Sequence, residues 1–450
     1  MKKFEENICA LATATGGALG IIRVSGSQSL DIVSRIFSKD ISQAEGYSLH
    51  YGNILADDGS TIDEVLVTVF RAPHSYTGED SVEISCHGSR YIINEVLERL
   101  LEQGCRMANP GEFTQRAYIN GKMDLSQAEA VADLIASTNK ATHRLALSQL
   151  RGKFSTELAQ LRDQLLKLTS LLELELDFSD HEELEFADRT ELLSLAQHID
   201  AHISTLIKSF ETGQALKQGI PVAIVGKTNV GKSTILNRLL KDDRAIVSDV
   251  HGTTRDTIED TMDLNGVTFR FIDTAGIRQT SDQVELIGIE RTYQAIEKAR
   301  IILWVIDEQP TEEEIANMHN RCLDKQLLII KNKADKDTSN LTPQISNLIC
   351  LSAKYDADLS QLEDAIYQAA NIPDISENDI IVTNARHYDA LVKAQSALNR
   401  VIEGMNQQLS GDLLAEDLRQ VLSHLAEITG GTITPNEVLQ NIFSHFCVGK

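Results

Sequence analysis

The sequence predicts a multidomain α/β chain: an α+β domain first, then a helical domain, with a P-loop (Ras-like) nucleotide domain inserted into the helical part. Three observations predict it. Short alternating strands and one amphipathic helix fill the first 120 or so residues. Leucines at steps of three and four mark two helical stretches, from Leu125 to Phe210 and from Leu391 to Leu425. Between them, an apolar strand runs into a glycine loop and then a helix, over Ile220 to Leu240. The expected boundaries are 1–120, 121–216, 217–375 and 376–450, the second and fourth forming one helical domain.

Bulk composition narrows the class. At 450 residues the chain is long enough for several domains, and 42% hydrophobic with 24% charged residues fits a globular protein. No apolar run has the length of a membrane span, and the start, Met1-Lys-Lys-Phe-Glu-Glu-Asn, lacks a signal peptide's apolar segment. Cys9, Cys86, Cys105, Cys322, Cys350 and Cys447 form no C-x-x-C pair. That spacing suits reduced thiols in a cytoplasm better than a disulfide frame or a zinc site. A formal charge of −24 argues against a broad non-specific grip on nucleic acid. Much of the acid lies between Glu173 and Glu191.

In the first domain, Gly20–Ser25 and Glu64–Phe70 read as strands, and Ser81–Ser85 alternates as a half-buried strand does. Ile92 to Leu101 reads as a helix with its apolar residues on one side. Downstream, Leu150, Phe154, Leu158, Leu161, Leu165, Leu168 and Leu172 form the stripe of a long amphipathic helix, and Leu192 to Phe210 repeats it. These leucines read as bundle core. Residues 213 to 221 read as a linker.

The chemistry starts at Gly226-Lys-Thr-Asn-Val-Gly231-Lys232-Ser233, which matches G-x-x-x-x-G-K-[ST] in the strand–loop–helix context that motif needs. Its glycines let backbone amides crowd an anion, and the helix start adds unpaired N–H groups and a positive dipole end. Lys232 is placed to reach the β- and γ-phosphates, and the Ser233 hydroxyl to ligate Mg²⁺. Two later stretches specify guanine. Asp335, in Asn332-Lys333-Ala334-Asp335, can accept from both guanine N1–H and its exocyclic amine, donors that adenine lacks. In Ser352-Ala353-Lys354 a backbone amide can meet guanine O6. GTP is the expected nucleotide.

Between the P-loop helix and an Asn265-Gly266 hairpin signal lies Ala245 to Asp256. Thr254 there can put its hydroxyl on Mg²⁺ and its amide on the γ-phosphate; the plainer role is a capping threonine. Asp273, in Asp273-Thr274-Ala275-Gly276, would hold Mg²⁺ through water, and the Gly276 amide would meet the γ-phosphate. Ras-type enzymes carry a water-orienting glutamine at the next position; here it is Ile277. The general base must therefore lie elsewhere, and Asp282, Glu285 and Glu290 are the acidic candidates.

Across nearly its whole length the sequence resembles one family, MnmE (TrmE), the bacterial tRNA modification GTPases. The resemblance is carried by the loop Gly226–Ser233, Gly252-Thr-Thr-Arg-Asp256, Asp273–Gly276, Val284–Arg291 and Asn332–Asp335. Outside the nucleotide domain, Tyr76-Thr-Gly-Glu-Asp80, Asn109-Pro-Gly-Glu-Phe-Thr114, Asp124–Ala130 and the terminal Phe446-Cys-Val-Gly-Lys450 resemble its other signatures. One stretch departs: Ala12 to Gly20 lacks the arginine of the family's usual N-terminal turn.

The resemblance implies a contact set for GTP. It comprises Asn229, Val230, Gly231, Lys232, Ser233 and Thr234 in the loop, then Ser248, Asp249, Val250, His251, Gly252, Thr253 and Thr254 in the first switch. Asp273, Thr274, Ala275 and Gly276 follow, with Asn332, Lys333, Asp335, Ser352, Ala353 and Lys354 around the base. It further implies K⁺ on Asn229 with carbonyls of Ser248, Val250 and Thr253, a charge that could act as an arginine finger does. Mg²⁺ falls to Ser233 and Thr254. Glu285 matches the family's water-activating carboxylate, and Lys232 completes the catalytic pair.

The family's first domain dimerises and binds a formyl- or methylene-tetrahydrofolate, which points to Arg23, Glu83, Lys122 and Lys450 as contacts. Cys447 beside a one-carbon folate suggests catalysis; a small buried residue at a tethered terminus is the equal alternative. The implied activity is GTP hydrolysis coupled to forming a 5-carboxymethylaminomethyl or aminomethyl group on the wobble uridine (U34) of certain tRNAs. The implied assembly is a homodimer in a heterotetramer with an MnmG-like flavoprotein that carries FAD. A regulatory GTP switch in ribosome assembly is the alternative.

Overall fold

The computed structural model describes residues 6–177, 189–242, 260–272, 293–335, 348–356, 359–372, 379–431, 436–444 and 446–449. The chain divides into two compact units. One comprises Met1–Ile135, Gln149–Asp200 and Ala390–Lys450; the other comprises Ala136–Ser148 and Ala201–Asp389.

The first unit holds a six-stranded sheet in the order β3-β4-β5-β2-β1-β6. Its strands are β1 (Asn7–Leu11), β2 (Leu19–Ser25), β3 (Ser48–Leu55), β4 (Thr61–Phe70), β5 (Ser81–His87) and β6 (Cys105–Met107). Period-two alternation decides what each face carries. Ile22 and Val24 of β2, Val65, Val67 and Val69 of β4, and Val82 and Ile84 of β5 point into one core. Helices Ser29–Ile36 and Arg90–Glu102 bury Val33, Ile36, Ile93, Val96 and Leu100 in that core. Arg23 and Glu83 take the alternate positions, and the antiparallel register of β2 and β5 sets them directly opposite each other.

Helix Glu112–Ile119 carries the buried ionic centre of this unit. Arg116 is fully buried. Its Nη1 donates to Glu79 Oε2 (3.0 Å) and Glu6 O (2.9 Å), and its Nη2 to Glu112 Oε1 (3.0 Å). Arg106 adds two bonds to the Glu112 carboxylate, at 2.8 and 2.9 Å. Burial pushes the Glu112 carboxyl up, but Arg106, the Asn109 N–H and Arg116 together hold it below its ordinary value.

Helix Lys153–Asp177 packs along Gly411–Thr429. Leu158, Leu161, Leu165 and Leu168 are buried on the first, and Leu414, Leu418, Val421 and Leu425 on the second. The expected stripe is interrupted at its start. Leu150 ends a separate helix, Lys140–Leu150, and the chain turns at Arg151–Gly152 before Lys153. Toward the C-terminus, helix Asn436–Ser444 places Phe443, with Phe446 beyond it, against Leu125, Ala128 and Leu439.

The second unit is built on a sheet ordered β12-β11-β10-β7-β9-β8. Its strands are β7 (Ile220–Val225), β8 (Asp260–Leu264), β9 (Val267–Phe271), β10 (Ile301–Ile306), β11 (Gln326–Lys331) and β12 (Leu348–Cys350). All neighbours run parallel except β8, which returns antiparallel on β9. The turn between β8 and β9 uses positive φ at Asn265 (51°) and Gly266 (82°), the requirement of a tight two-residue hairpin. Every residue of β10 is buried, as a strand covered on both faces demands. Helices Lys232–Asp242 and Ser360–Ala369 contribute Ile235, Leu236, Leu239, Leu362 and Ile366 to one face, while Ala295, Ile296, Ala299 and Ile302 belong to the other. Because β7 has β9 on one side and β10 on the other, the crevice at its C-terminal end is the switch point where open α/β sheets bind ligands.

The expected linker at 213–221 is not one. Helix Arg189–Gln218 runs through most of it, and only Gly219 precedes β7. Leu216 is 1% exposed and belongs to the sheet's core. A Cβ on Gly213 would lie 2.1 Å from Val382 O, so the bare glycine lets another backbone close on the helix. Its polar composition hides that docking. The strand entering the expected Asn265–Gly266 hairpin is present from Asp260; residues 257–259 lie outside the described residues.

Candidate nucleotide site

The crevice is lined by a loop that only glycine can build. Gly226 has φ 147° and Gly231 φ 103°. A Cβ at Gly226 would lie 2.2 Å from Val305 O, and one at Gly231 2.1 Å from Asn332 Nδ2. Val230, 2% exposed, pins the loop into the core beneath. Lys232 opens helix Lys232–Asp242, with Ser233 and Thr234 in its first turn, so the loop ends on a helix N-terminus. The Lys232 ammonium donates to Gly226 O and Lys227 O, both at 2.6 Å, and burial pushes its pKa down.

The stretches expected to read guanine are wired to this loop. Asn332 Nδ2 donates to Val230 O (2.8 Å), and Asn332 Oδ1 accepts from Ala353 N (2.9 Å). Lys333, at φ 62°, sends its Nζ to Asn229 O and to Asp307 Oδ2, each 2.8 Å away. Asp335 Oδ1 accepts from Ser352 Oγ (2.6 Å). Arg238 donates to Ala353 O (3.2 Å) and Asp356 O (2.8 Å), so the P-loop helix steadies the Ser352–Lys354 turn. Lys354 Nζ lies 5.0 Å from the Tyr355 ring centroid. Twelve expected contacts are thus described: Asn229, Val230, Gly231, Lys232, Ser233, Thr234, Asn332, Lys333, Asp335, Ser352, Ala353 and Lys354.

The rest of the expected set lies outside the described residues: Ser248, Asp249, Val250, His251, Gly252, Thr253, Thr254, Asp273, Thr274, Ala275, Gly276, the three carboxylates Asp282, Glu285 and Glu290, and Lys450. What is described fits a nucleotide triphosphate. The loop is a cradle that two Cβ atoms would fill, it ends on amides and an ammonium, and Ser233 offers a hard oxygen donor suited to Mg²⁺. Of the expected K⁺ donors only Asn229 is described; it is exposed, at φ 62°.

Of the other expected residues, Arg23 and Glu83 lie on the sheet of the first unit. Arg23 Nε and Nη2 donate to Glu83 Oε1 at 2.9 and 2.8 Å, and Nη1 donates to Gly449 O at 3.3 Å. Its guanidinium lies 5.2 Å from the Tyr76 ring centroid and 5.6 Å from that of Phe113. The strand pair and the C-terminal tail therefore converge on Arg23. Lys122 takes a different anchorage, its Nζ donating to Pro73 O at 2.8 Å. Cys447 is exposed, and its carbonyl accepts from Gly111 N (3.4 Å).

Sequence reasoning missed what two of the quoted motifs do. Glu79 of Tyr76–Asp80 and Glu112 of Asn109–Thr114 are the anions around Arg116, and Thr77 bonds Ser25 at 2.7 Å. The i, i+4 spacing of Glu112 and Arg116 was the available signal. It also missed Glu314, which caps its own helix through Thr311 and pairs with Lys227 of the loop at 2.8 Å.

Two family models cover the chain: "GTP-binding protein TrmE N-terminus" matches residues 7–122, and "MnmE helical domain" matches residues 125–447. Among curated relatives, the tRNA modification GTPase MnmE of Bacteroides thetaiotaomicron is 53% identical, over 99% of this chain and 100% of its own length. That of Phocaeicola vulgatus is 52% identical over 99% of each, and that of Christiangramia forsetii 49% identical over the whole of both. With family models and full-length relatives in agreement with the loop and strand geometry, this chain belongs to the MnmE (TrmE) family of tRNA modification GTPases.

Proposed function

We propose that this GTPase couples hydrolysis to formation of the 5-carboxymethylaminomethyl or aminomethyl group on U34 of certain tRNAs, together with an MnmG-like flavoprotein. Whole-length similarity to chains named tRNA modification GTPase MnmE carries the reading. Residues 217–375 act as the GTPase domain, inserted between helical segments 121–216 and 376–450, and residues 1–120 bind a tetrahydrofolate and dimerise. The protein works in the cytoplasm as a homodimer, within a heterotetramer whose partner holds FAD.

Each residue's task follows from its chemistry. Loop amides and Lys232 bind the β- and γ-phosphates in a site that favours developing negative charge. Asp335 reads the two guanine donors, with Ser352 fixing its other lone pairs. Mg²⁺ on Ser233 and Thr254, and K⁺ on Asn229, Ser248, Val250 and Thr253, supply charge neutralisation when bound. Glu285 orients the attacking water, the role that Ile277 cannot fill. On the other unit, Arg23 and Lys450 offer cations to the folate carboxylates and Glu83 an acceptor to the pterin, with Lys122 and Cys447 at the edge of the same site.

The test is analysis of wobble uridines in a strain lacking this chain. The C5 modification disappears, returns with the parent chain, and stays absent with Lys232→Ala. Unaltered wobble uridines in the deletion strain would refute the tRNA assignment.

A further inference from the structure

The segment Ala136–Ser148 belongs to the nucleotide unit, although the residues on both sides of it belong to the other unit. Hydrogen bonds from one side chain and one backbone amide tie it to the sheet. Asn139 Oδ1 accepts from Thr142 N (2.8 Å), capping the helix Lys140–Leu150. The Nδ2 of the same amide donates to Thr268 Oγ1 on β9 (2.8 Å). Two residues on, Ala141 N donates to Gly266 O at the tip of the β8–β9 hairpin (3.0 Å). Leu145 anchors the helix in the core with Leu264 and Val267 of that hairpin. A Cβ on Gly266 would lie 2.9 Å from Lys140 Cβ, so the contact is as close as a glycine permits.

The hairpin so gripped is the piece of chain that joins the two segments meeting the γ-phosphate. In sequence, β8 follows the stretch with Thr254, and β9 leads into Asp273. Any sliding or tilting of β8 and β9 displaces Thr268 Oγ1 and Gly266 O together. It must then carry the 139–145 turn with it or break both bonds, and the ends of that turn are covalently continuous with the first unit. We propose that Asn139 is a positioning residue that transmits the state of the inter-switch hairpin to the helical region. This rests on the GTP-driven reading above and adds to it the point of transmission.

The amide matters in particular. Thr268 Oγ1 gives its proton to Asp263 Oδ1, so toward Asn139 it can only accept. Asn139→Asp keeps the helix cap but replaces the donor with a carboxylate facing a committed oxygen. That variant separates capping from transmission, and Thr268→Val removes the acceptor from the other side.

Hydrogen exchange of the full-length chain with GDP and with a non-hydrolysable GTP analogue, read on peptides spanning 139–145, tests this. In the parent, exchange differs between the two nucleotides. In Asn139→Asp it rises about three- to tenfold, the scale of one lost hydrogen bond. The nucleotide dependence vanishes there, while nucleotide affinity stays within about twofold, because an indirect contact leaves the loop's own hydrogen bonds in place. Thr268→Val behaves alike, and the double variant is no worse than either single one. A parent that binds guanine nucleotide yet exchanges identically in both states overturns the proposal and leaves the GTP reading standing. So does an Asn139→Asp chain that keeps the parent's response. A parent that binds no guanine nucleotide overturns both.

Discussion

Asn332 holds the phosphate loop by the carbonyl of Val230, 2.8 Å from its side-chain nitrogen, while its oxygen takes the Ala353 amide at 2.9 Å. One side chain thus fixes the spacing between the glycine loop and the turn proposed to meet the base. Gly231 lies against it with no room for a methyl group. Gly231→Ala is therefore expected to displace Asn332 and strain a φ of 103°, at about 1–3 kcal/mol. Calorimetry should find guanine nucleotide binding weakened at least about tenfold, with a lower melting temperature.

Asp335 accepts from Ser352 through Oδ1, and the proposed function gives it the guanine donors as well. Asp335→Asn replaces one acceptor by a donor. GTP affinity should fall by about two orders of magnitude or more, since a site built for two donors then faces one of them with another donor. Xanthosine triphosphate, whose 2-oxo group matches that new donor, should gain. Competition binding with the two nucleotides reads the exchange directly.

The carboxylate of Glu112 is surrounded by Arg106 and Arg116 and held below its ordinary value of 4.5. A depressed carboxyl stabilises the fold above its unfolded pKa and loses that contribution as pH falls through the folded value. The first unit should therefore lose stability as pH drops below about 4.5, in proportion to the shift. Glu112→Gln should be less stable at pH 7 by about 1–3 kcal/mol, since buried Arg116 keeps Glu79 but loses the second carboxylate that it bonds. Its melting temperature should also depend less on acid, which denaturation from pH 7 to pH 3 would reveal.

Arg23 is oriented by two bonds to Glu83 and a third to the C-terminal tail. Arg23→Ala removes a preorganised cation and should weaken 5-formyltetrahydrofolate binding by about 10- to 100-fold, the worth of a charged hydrogen bond. Nucleotide affinity should not change. Titration of the full chain with each ligand separates the two effects.

How far the sequence was readable depended on whether a feature was local. The loop, the Asn265–Gly266 hairpin and the alternating strands carry their signal within a few residues, and each appears where expected. The resemblance names Arg23 and Glu83 as contacts of one ligand, but only the β2–β5 register makes them partners of each other. Arg116 illustrates the opposite case. A charged residue in a helix reads as surface, and its burial depends on Glu79, which is far off in sequence, and on the backbone of Glu6. The run at 213–218 looked like a linker because its residues are small and polar, whereas its helix is decided by Leu216 docking in a core assembled from distant strands. Gly152 divides what the leucine spacing presented as one helix.

The central proposal is that K⁺ and Glu285 complete the catalytic site, with Ile277 where a glutamine would orient water and Asn229 at the loop's exposed edge. The direct measurement is the rate of GTP turnover by the purified full-length chain in KCl and in equimolar NaCl, with Glu285→Ala alongside. Turnover should be at least about tenfold faster in KCl, since a cation completing the site acts on the transition state. It should be lost in Glu285→Ala, whose GTP affinity remains. Equal rates in the two salts, or a Glu285→Ala chain as active as its parent, would contradict it.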